Sequence, residues 1–227
     1  TLAIDRAYLV QNVLKDGSDP SYTAVPRNFA RSYDGTDFSM DQEKYAQYCA
    51  YDPQKAKEYW EIGLKELGKN KLMLNLKSDV TKDVQKVAWE LMRQWESALP
   101  GLTVNIMFET KKQRQHDMYE GRFDLILDYW ETDYTDPVAY LGLWVTNGTD
   151  NYGRWSDPEY DEIIEECTAG EICEDRQARC ERLYDAEQIV MEQAVIFPLY
   201  TQSNTELISP EVAGIEFHVT ALNRVYK

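Results

Sequence analysis

Between residues 71 and 129 the chain repeats one rhythm (strand, helix, strand, helix, strand) with short connections, and that rhythm leaves few folds open. Residues 71–76 alternate around Leu72, Leu74 and Leu76, as a half-buried strand does. Residues 79–99 bring Val80, Val84, Val87, Ala88, Leu91, Met92 and Trp95 to one side of a helix, which Pro100-Gly101 stops. Alternation returns at 102–109 through Leu102, Val104, Ile106 and Phe108. A short polar helix at 111–119 ends at Gly121, and an apolar run at 123–129 forms the third strand. Strands and helices in such alternation bury their apolar faces as an α/β fold, a mixed sheet flanked by helices.

The flanking segments are less regular. Residues 1–14 read as a helix already under way, with Leu2, Leu9, Val10, Val13 and Leu14 on one face and only Thr1 to cap it. Nothing there reads as a signal peptide, and the chain looks like a piece of something longer. Residues 16–51 are irregular and rich in Gly, Ser, Asp and Tyr; a loop of that length is functional or packed against another part of the molecule. Its Tyr45, Tyr48 and Tyr51 either cover a cleft or anchor the segment. Asp52-Pro53 opens a helix that Gly68 ends. Beyond residue 129 the pattern gives a short helix at 137–145, a polar loop at 146–156, and a helical hairpin of 158–168 and 174–193. Ser156 or Asp157 caps the first of these helices. An apolar strand at 195–200 carries Pro198 and so belongs at an edge or a bulge, and 214–219 is strand-like.

Composition excludes several function classes. The 40 acidic and 24 basic residues leave a net charge of −16, which repels phosphate backbones and anionic membranes, so no nucleic-acid partner is expected. No stretch approaches the ~20 apolar residues that span a bilayer. Cys49 stands apart, while Cys167, Cys173 and Cys180 are spaced by six and seven residues, unlike the short pairs of zinc sites, and no metal or cofactor is expected. That cluster holds either a disulfide, if the protein is exported, or buried free thiols.

Chemistry concentrates at residues 123–137. An apolar strand there runs into a turn carrying Tyr129, Trp130, Glu131, Asp133, Tyr134 and Asp136. Trp130 and Tyr134 offer flat apolar surface and Asp133 a fixed negative charge, which suits a ligand with an apolar body and a cationic end. Strand ends in open α/β sheets are where ligands bind. The competing account makes the aspartates turn formers, with Asp136 capping the helix at Pro137, and makes Trp144 and Trp155 core. Asp128, Glu131 and Asp133 also allow a carbohydrate-active enzyme with paired carboxylates. There is no phosphate loop, nucleophile elbow or zinc-protease helix, and with two histidines in the chain a non-catalytic role is expected.

The order of several motifs resembles the C-terminal lobe of the solute-binding proteins of peptide ABC transporters, the oligopeptide- and dipeptide-binding family (bacterial extracellular solute-binding protein family 5). They are Ala3-Ile4-Asp5-Arg6 with Val10, Val13 and Leu14; Tyr51-Asp52-Pro53-Gln54-Lys55-Ala56; and Gly121-x-Phe123-Asp124. Trp130-x-x-Asp133-Tyr134-x-Asp136-Pro137, Asn151-Tyr152-x-x-Trp155-Ser156-Asp157-Pro158-x-x-Asp161, Arg176 through Glu187, and Ile196-Phe197-Pro198-Leu199-Tyr200 complete the set. The resemblance implies one lobe of a type II periplasmic-binding-protein-like fold, with residues 1–201 as the ligand-binding lobe and 202–227 crossing back to an N-terminal lobe outside this chain. It implies peptide transport by an oligopeptide-binding component of an ABC importer, working with ABC permease membrane subunits. Such a receptor is extracellular or periplasmic, or anchored at the cell surface as a lipoprotein. Asp133 would hold the peptide's α-ammonium, Tyr129, Trp130 and Glu131 would pair with its main chain, and Asn151 and Tyr152 would face the cleft. Relatives that bind nickel complexes, haem or sugars mark the alternatives within the family.

Overall fold

The computed structural model describes residues 1–203, 206–218, 220 and 224–226, except for the side chains of 40–44, 46 and 224–226. The chain forms two compact units, Thr1–Pro20 with Ala46–Tyr129, and Ser21–Tyr45 with Trp130–Lys227.

The first unit begins later than its hydrophobic pattern implies. The Asp5 carboxylate accepts the Tyr8 N–H at 2.8 Å and starts helix α1 (Arg6–Tyr8), which widens into a π-helical turn, Leu9–Leu14. A two-residue strand, β1 (Asp19–Pro20), follows, and helix α2 (Gln42–Cys49) carries the chain back into this unit from the other. Helix α2 corrects the expectation of an irregular run to residue 51. In α3 (Pro53–Glu66) the Asp52 carboxylate accepts the Lys55 N–H, and Gly68 ends the helix with φ +63°.

Strand β2 (Leu72–Asp79), helix α4 (Lys82–Ala98), strand β3 (Leu102–Glu109), helix α5 (Lys111–Glu120) and strand β4 (Leu125–Ile126) realise the alternating rhythm. Strand β2 is central and parallel to both neighbours, with Leu72 opposite Leu102 and Leu76 opposite Leu125. Val87, Ala88, Leu91 and Trp95 form the buried stripe of α4, which packs on β2 and β3. At the turn into β3, Gly101 has φ +82°, and a Cβ there would lie 2.6 Å from the Asn70 carbonyl oxygen, so only glycine fits.

The third strand is shorter than the apolar run at 123–129. A side chain takes over the ladder at one end, and a side chain caps the chain just past the other. The Asp124 carboxylate accepts the Asn75 N–H at 2.8 Å, and the Asp128 carboxylate accepts the Tyr129 N–H at 3.0 Å.

The second unit is built on α6 (Val138–Leu141) and its 3₁₀ extension Gly142–Trp144, and on the hairpin α7 (Pro158–Thr168) and α8 (Arg176–Glu192). Asp157 caps α7 through the Glu159 and Tyr160 N–H groups, and Asp175 caps α8. Leu141, Tyr160, Ile163, Leu183, Ala186 and Val190 are its core. Residues 21–45 pack onto this hairpin. Phe38 stacks on Tyr184 at 4.4 Å, the Val25 N–H donates to Glu187 Oε1 at 2.9 Å, and the buried Tyr45 hydroxyl donates to the Tyr184 carbonyl. Tyr45 is therefore an anchor.

The apolar strand at 195–200 contracts to β5 (Tyr200–Thr201), since Pro198 has no N–H to give a ladder. Strands β6 (Ile215–Phe217) and β7 (Arg224–Tyr226) make an antiparallel pair; Val219, at the end of the expected strand, lies outside the described residues. The fold is thus α/β, with parallel and antiparallel pairing in separate sheets. All four cysteines are free, which decides against the disulfide: Cys167 Sγ donates to the Arg179 carbonyl, Cys180 Sγ lies 3.2 Å from Ser32 Oγ, and Cys173 is exposed. Burial pushes the Cys167 thiol up to about 11.

Leu91 is 2% exposed in the α4 stripe. Leu91→Ala is expected to cost about 2–5 kcal/mol in urea unfolding, against less than about 1.5 kcal/mol for Leu91→Met.

Candidate functional site

The turn that carries the candidate residues starts from a fixed point. Leu127 extends the β4 pairing by donating its N–H to the Lys77 carbonyl at 2.8 Å. Asp128 then accepts Arg114 Nη2 at 3.0 Å, while Arg114 Nη1 donates to Asp79 Oδ2 at 2.7 Å. Arg114 is 1% exposed, so one buried guanidinium ties the end of β2 to the start of the turn. Next to it, Lys77 donates to Glu109 Oε1 at 2.8 Å and to Asp117, and Asp117 also accepts from Arg122. Hydrogen bonds from Lys77 and Arg122 hold the Asp117 carboxyl down at about 2. Burial works against the Lys77 ammonium, but its bonds to Asp117 and Glu109 outweigh that and raise it above the ordinary lysine value.

Past this network the side chains turn outward. Tyr129 is exposed at the end of the first unit. Trp130, in the second unit, is 42% exposed, and its indole N–H donates to the Ala139 carbonyl at 3.1 Å, which fixes the ring while leaving its surface open. Thr132 is buried and donates its hydroxyl to the Tyr134 carbonyl, which tightens the turn. Glu131, Asp133 and Tyr134 are exposed. Among the described residues the Asp133 carboxylate makes no ion pair or hydrogen bond, and the Trp130 and Glu131 N–H groups donate to no protein acceptor. Asp136 behaves as the turn-former account requires: Oδ1 accepts the Val138 N–H at 2.9 Å and Arg179 Nη2 at 2.9 Å.

Trp130, Glu131, Asp133 and Asp150 line a pocket of about 410 Å³ within the second unit together with Val138, Leu143, Val145 and Ile164. The volume lies in the ~300–1,000 Å³ range of small-ligand pockets. Val138 lies in α6, Leu143 in its 3₁₀ extension and Ile164 in α7, with Val145 just beyond the extension, and no local sequence signal marks them as a pocket wall.

Asn151 and Tyr152 sit differently from the exposed turn. Asn151 is 5% exposed; its Nδ2 donates to the carbonyls of Trp144, Val145 and Trp155, and its Oδ1 accepts the Trp155 N–H. Its amide is spent on the loop that carries Val145 and Asp150. Tyr152 is half-buried, with its hydroxyl on Asp150 Oδ1 at 3.3 Å. Trp155 packs edge-on to Tyr160 at 5.0 Å, as a core residue would. Among the described residues no group of three His, Cys, Asp or Glu side chains is placed to hold a metal, and no helix is long and apolar enough to cross a membrane.

The family model of the bacterial extracellular solute-binding proteins, family 5 (middle region), matches residues 1–152. The chain belongs to that family. Among family 5 relatives, a dipeptide-binding protein of Lactococcus lactis subsp. cremoris is 36% identical over 97% of this chain and 40% of its own length. The substrate-binding domain of an oligopeptide ABC transporter from Bacillus anthracis superposes with TM-score 0.88 at 32% identity, over 100% of this chain and 43% of that one. Listeria monocytogenes OppA bound to peptide gives TM-score 0.77 at 30% identity, over 88% of this chain and 37% of that one. The chain therefore spans about two fifths of the length of these family 5 relatives.

The depressed Asp117 carboxyl makes stability sensitive to acid. Above the ordinary value of 3.8 its contribution is fully present; as pH falls toward about 2 the unfolded chain binds a proton the native site refuses, and stability is lost. Unfolding midpoints are expected to fall between about pH 4 and pH 2, and less steeply in Asp117→Asn. Asn151→Ala is expected to cost about 1–3 kcal/mol in denaturant unfolding, because it strips partners from buried loop groups.

Proposed function

We propose that this chain is the ligand-binding lobe of the solute receptor of an ABC importer and that the solute is a peptide with a free N-terminus. The observation that carries the reading is Asp133: an exposed carboxylate without a protein partner among the described residues, lining a partly apolar pocket on a turn where Trp130, Thr132 and Asp136 are each bonded to the protein. An ammonium meets such a carboxylate in a charge-assisted hydrogen bond. The open N–H groups of Trp130 and Glu131, with Tyr129 beside them, would pair with the peptide main chain, a mode that tolerates varied side chains. Asn151 and Tyr152 would serve by holding the pocket's loop in place.

The names of the relatives support this assignment, dipeptide- and oligopeptide-binding proteins among them. On this reading the protein is non-catalytic and meets ABC permease subunits at the outer face of the membrane, anchored there as a lipoprotein or free in the periplasm. The remainder of its cleft comes from a further lobe outside these 227 residues. Of the three carboxylates of the carbohydrate-active alternative, Asp128 is already held by Arg114.

Calorimetry on the full-length protein containing this chain, with a peptide library bearing free or N-acetylated termini, tests the clamp. Acetylation is expected to weaken binding by about 1.5–3 kcal/mol, roughly ten- to a hundredfold, and to have little further effect in Asp133→Ala. Equal binding of the two libraries removes the role given to Asp133. Binding of neither turns attention to the nickel complexes, haem and sugars taken by other members of the family.

A further inference from the structure

With no protein partner for the Asp133 carboxylate among the described residues, its place is set by the residues around it. Thr132 and Tyr134, which flank it, are joined to each other. The turn's grips on the rest of the second unit stand three residues away on either side, at Trp130 and Asp136. The Trp130 indole N–H donates to the Ala139 carbonyl at 3.1 Å, and Asp136 Oδ1 accepts both Arg179 Nη2 and the Val138 N–H at 2.9 Å. Both grips therefore lead to α6, in which Val138 and Ala139 lie. A helix of four residues has little stability alone, and the α7–α8 hairpin holds this one at both ends. At its end the buried Tyr160 hydroxyl of α7 donates to the Leu141 carbonyl. At its start the hold is Arg179.

Arg179 reaches across three elements. Its Nε donates to the Cys167 carbonyl at 2.7 Å while Nη2 holds Asp136, so one planar guanidinium joins the last turn of α7, its own helix α8 and the start of α6. Arg182, one turn further along α8, is different: its partners Glu166 and Asp185 both belong to the hairpin. Resting on the peptide-receptor reading, we propose that Arg179 is a positioning residue of the Asp133 clamp. It acts through Asp136 and α6 to set where the Asp133 carboxylate and the Trp130 ring stand, and it does not itself meet the ligand. A hydrogen bond weakens steeply as its geometry departs from the linear one, and a binding group held in place beforehand loses less freedom on association. Groups that support a binding residue from behind matter for that reason. A lysine at this position would offer a point charge in place of the planar fork.

Calorimetry on the full-length protein with the free and N-acetylated peptide libraries tests this, with thermal unfolding measured beside it. In Arg179→Met the ratio of free to acetylated affinity is expected to fall by about three- to tenfold, most of what one charge-assisted hydrogen bond contributes, and by less in Arg179→Lys. Asp136→Asn keeps an oxygen for the Val138 N–H and is expected to lower the ratio as Arg179→Met does. The double variant Asp136→Asn/Arg179→Met is expected to lower it no further than either change alone. Arg182→Met removes a neighbouring pair of the same hairpin and is expected to leave the ratio unchanged, whatever its effect on the melting temperature. An unchanged ratio in Arg179→Met, or an equal fall in Arg182→Met, overturns the inference and leaves the peptide-receptor reading standing. Should Arg179→Met fail to fold, an unchanged ratio in Asp136→Asn overturns it in the same way. A ratio of one in the unmodified protein overturns the Asp133 clamp and the inference with it.

Discussion

The start of the turn, at Asp128, depends on one buried cation. Arg114 lies under the sheet's carboxyl end with its guanidinium shared between Asp79, the last residue of β2, and Asp128, the first residue of the turn. Removing a guanidinium from water costs several kcal/mol, and only well-placed counter-charges offset it. Those two aspartates thus have a required separation, and the backbone on either side inherits it. The same demand reaches α5, because Arg114 is one turn from Asp117, which completes the Lys77 pair. Sheet, helix and the residue that opens the turn, Asp128, are bound into one electrostatic network at the carboxyl end of the strands.

Downstream the turn is fixed by a different set of constraints. Trp130 and Thr132 bond to carbonyls at Ala139 and Tyr134, and Asp136 is gripped by Arg179 from α8. Those side chains are committed to the protein, and the carboxylates left over are Glu131 and Asp133. Asn151 does the equivalent work on the neighbouring loop, using both ends of its amide. Rigid surroundings matter for a binding site because freedom lost on association subtracts from affinity.

How much of this the sequence discloses depends on whether a feature is local. The alternation at 102–109 and the Asp157-Pro158 start of α7 are local signals, and the elements appear where they were expected. The length of β4 is not local, since it is cut by carboxylates at Asp124 and Asp128 whose partners lie on β2 and α5. Helix α2 was hidden in a polar, tyrosine-rich stretch that mimics a loop. At the site, the outward placement of Trp130 and Asp133 follows from their position past a strand end. The buried work of Asn151 does not, because a polar residue in a polar loop reads the same whether it meets ligand or backbone. Arg114 gave no sign of itself at all on a short, charged helix.

The distribution of bonded and unbonded carboxylates separates those that hold the fold from those left open to a ligand. Hydrolysis by two carboxylates needs both at the scissile bond, one as proton donor and one as base or nucleophile. Here the turn's carboxylates fall into two groups. Asp128 and Asp136 each hold an arginine, while Glu131 and Asp133 line the pocket with no protein partner among the described residues. A free carboxylate beside an apolar wall and an exposed indole offers a ligand one fixed charge and a flat apolar face. A family whose members carry varied cargo can keep such arginine pairs and change what lines the pocket. In this chain the carboxylates left free lie between those that hold arginines along the sequence, so a substitution at Asp128 disturbs the fold while one at Asp133 leaves the arginine pairs intact.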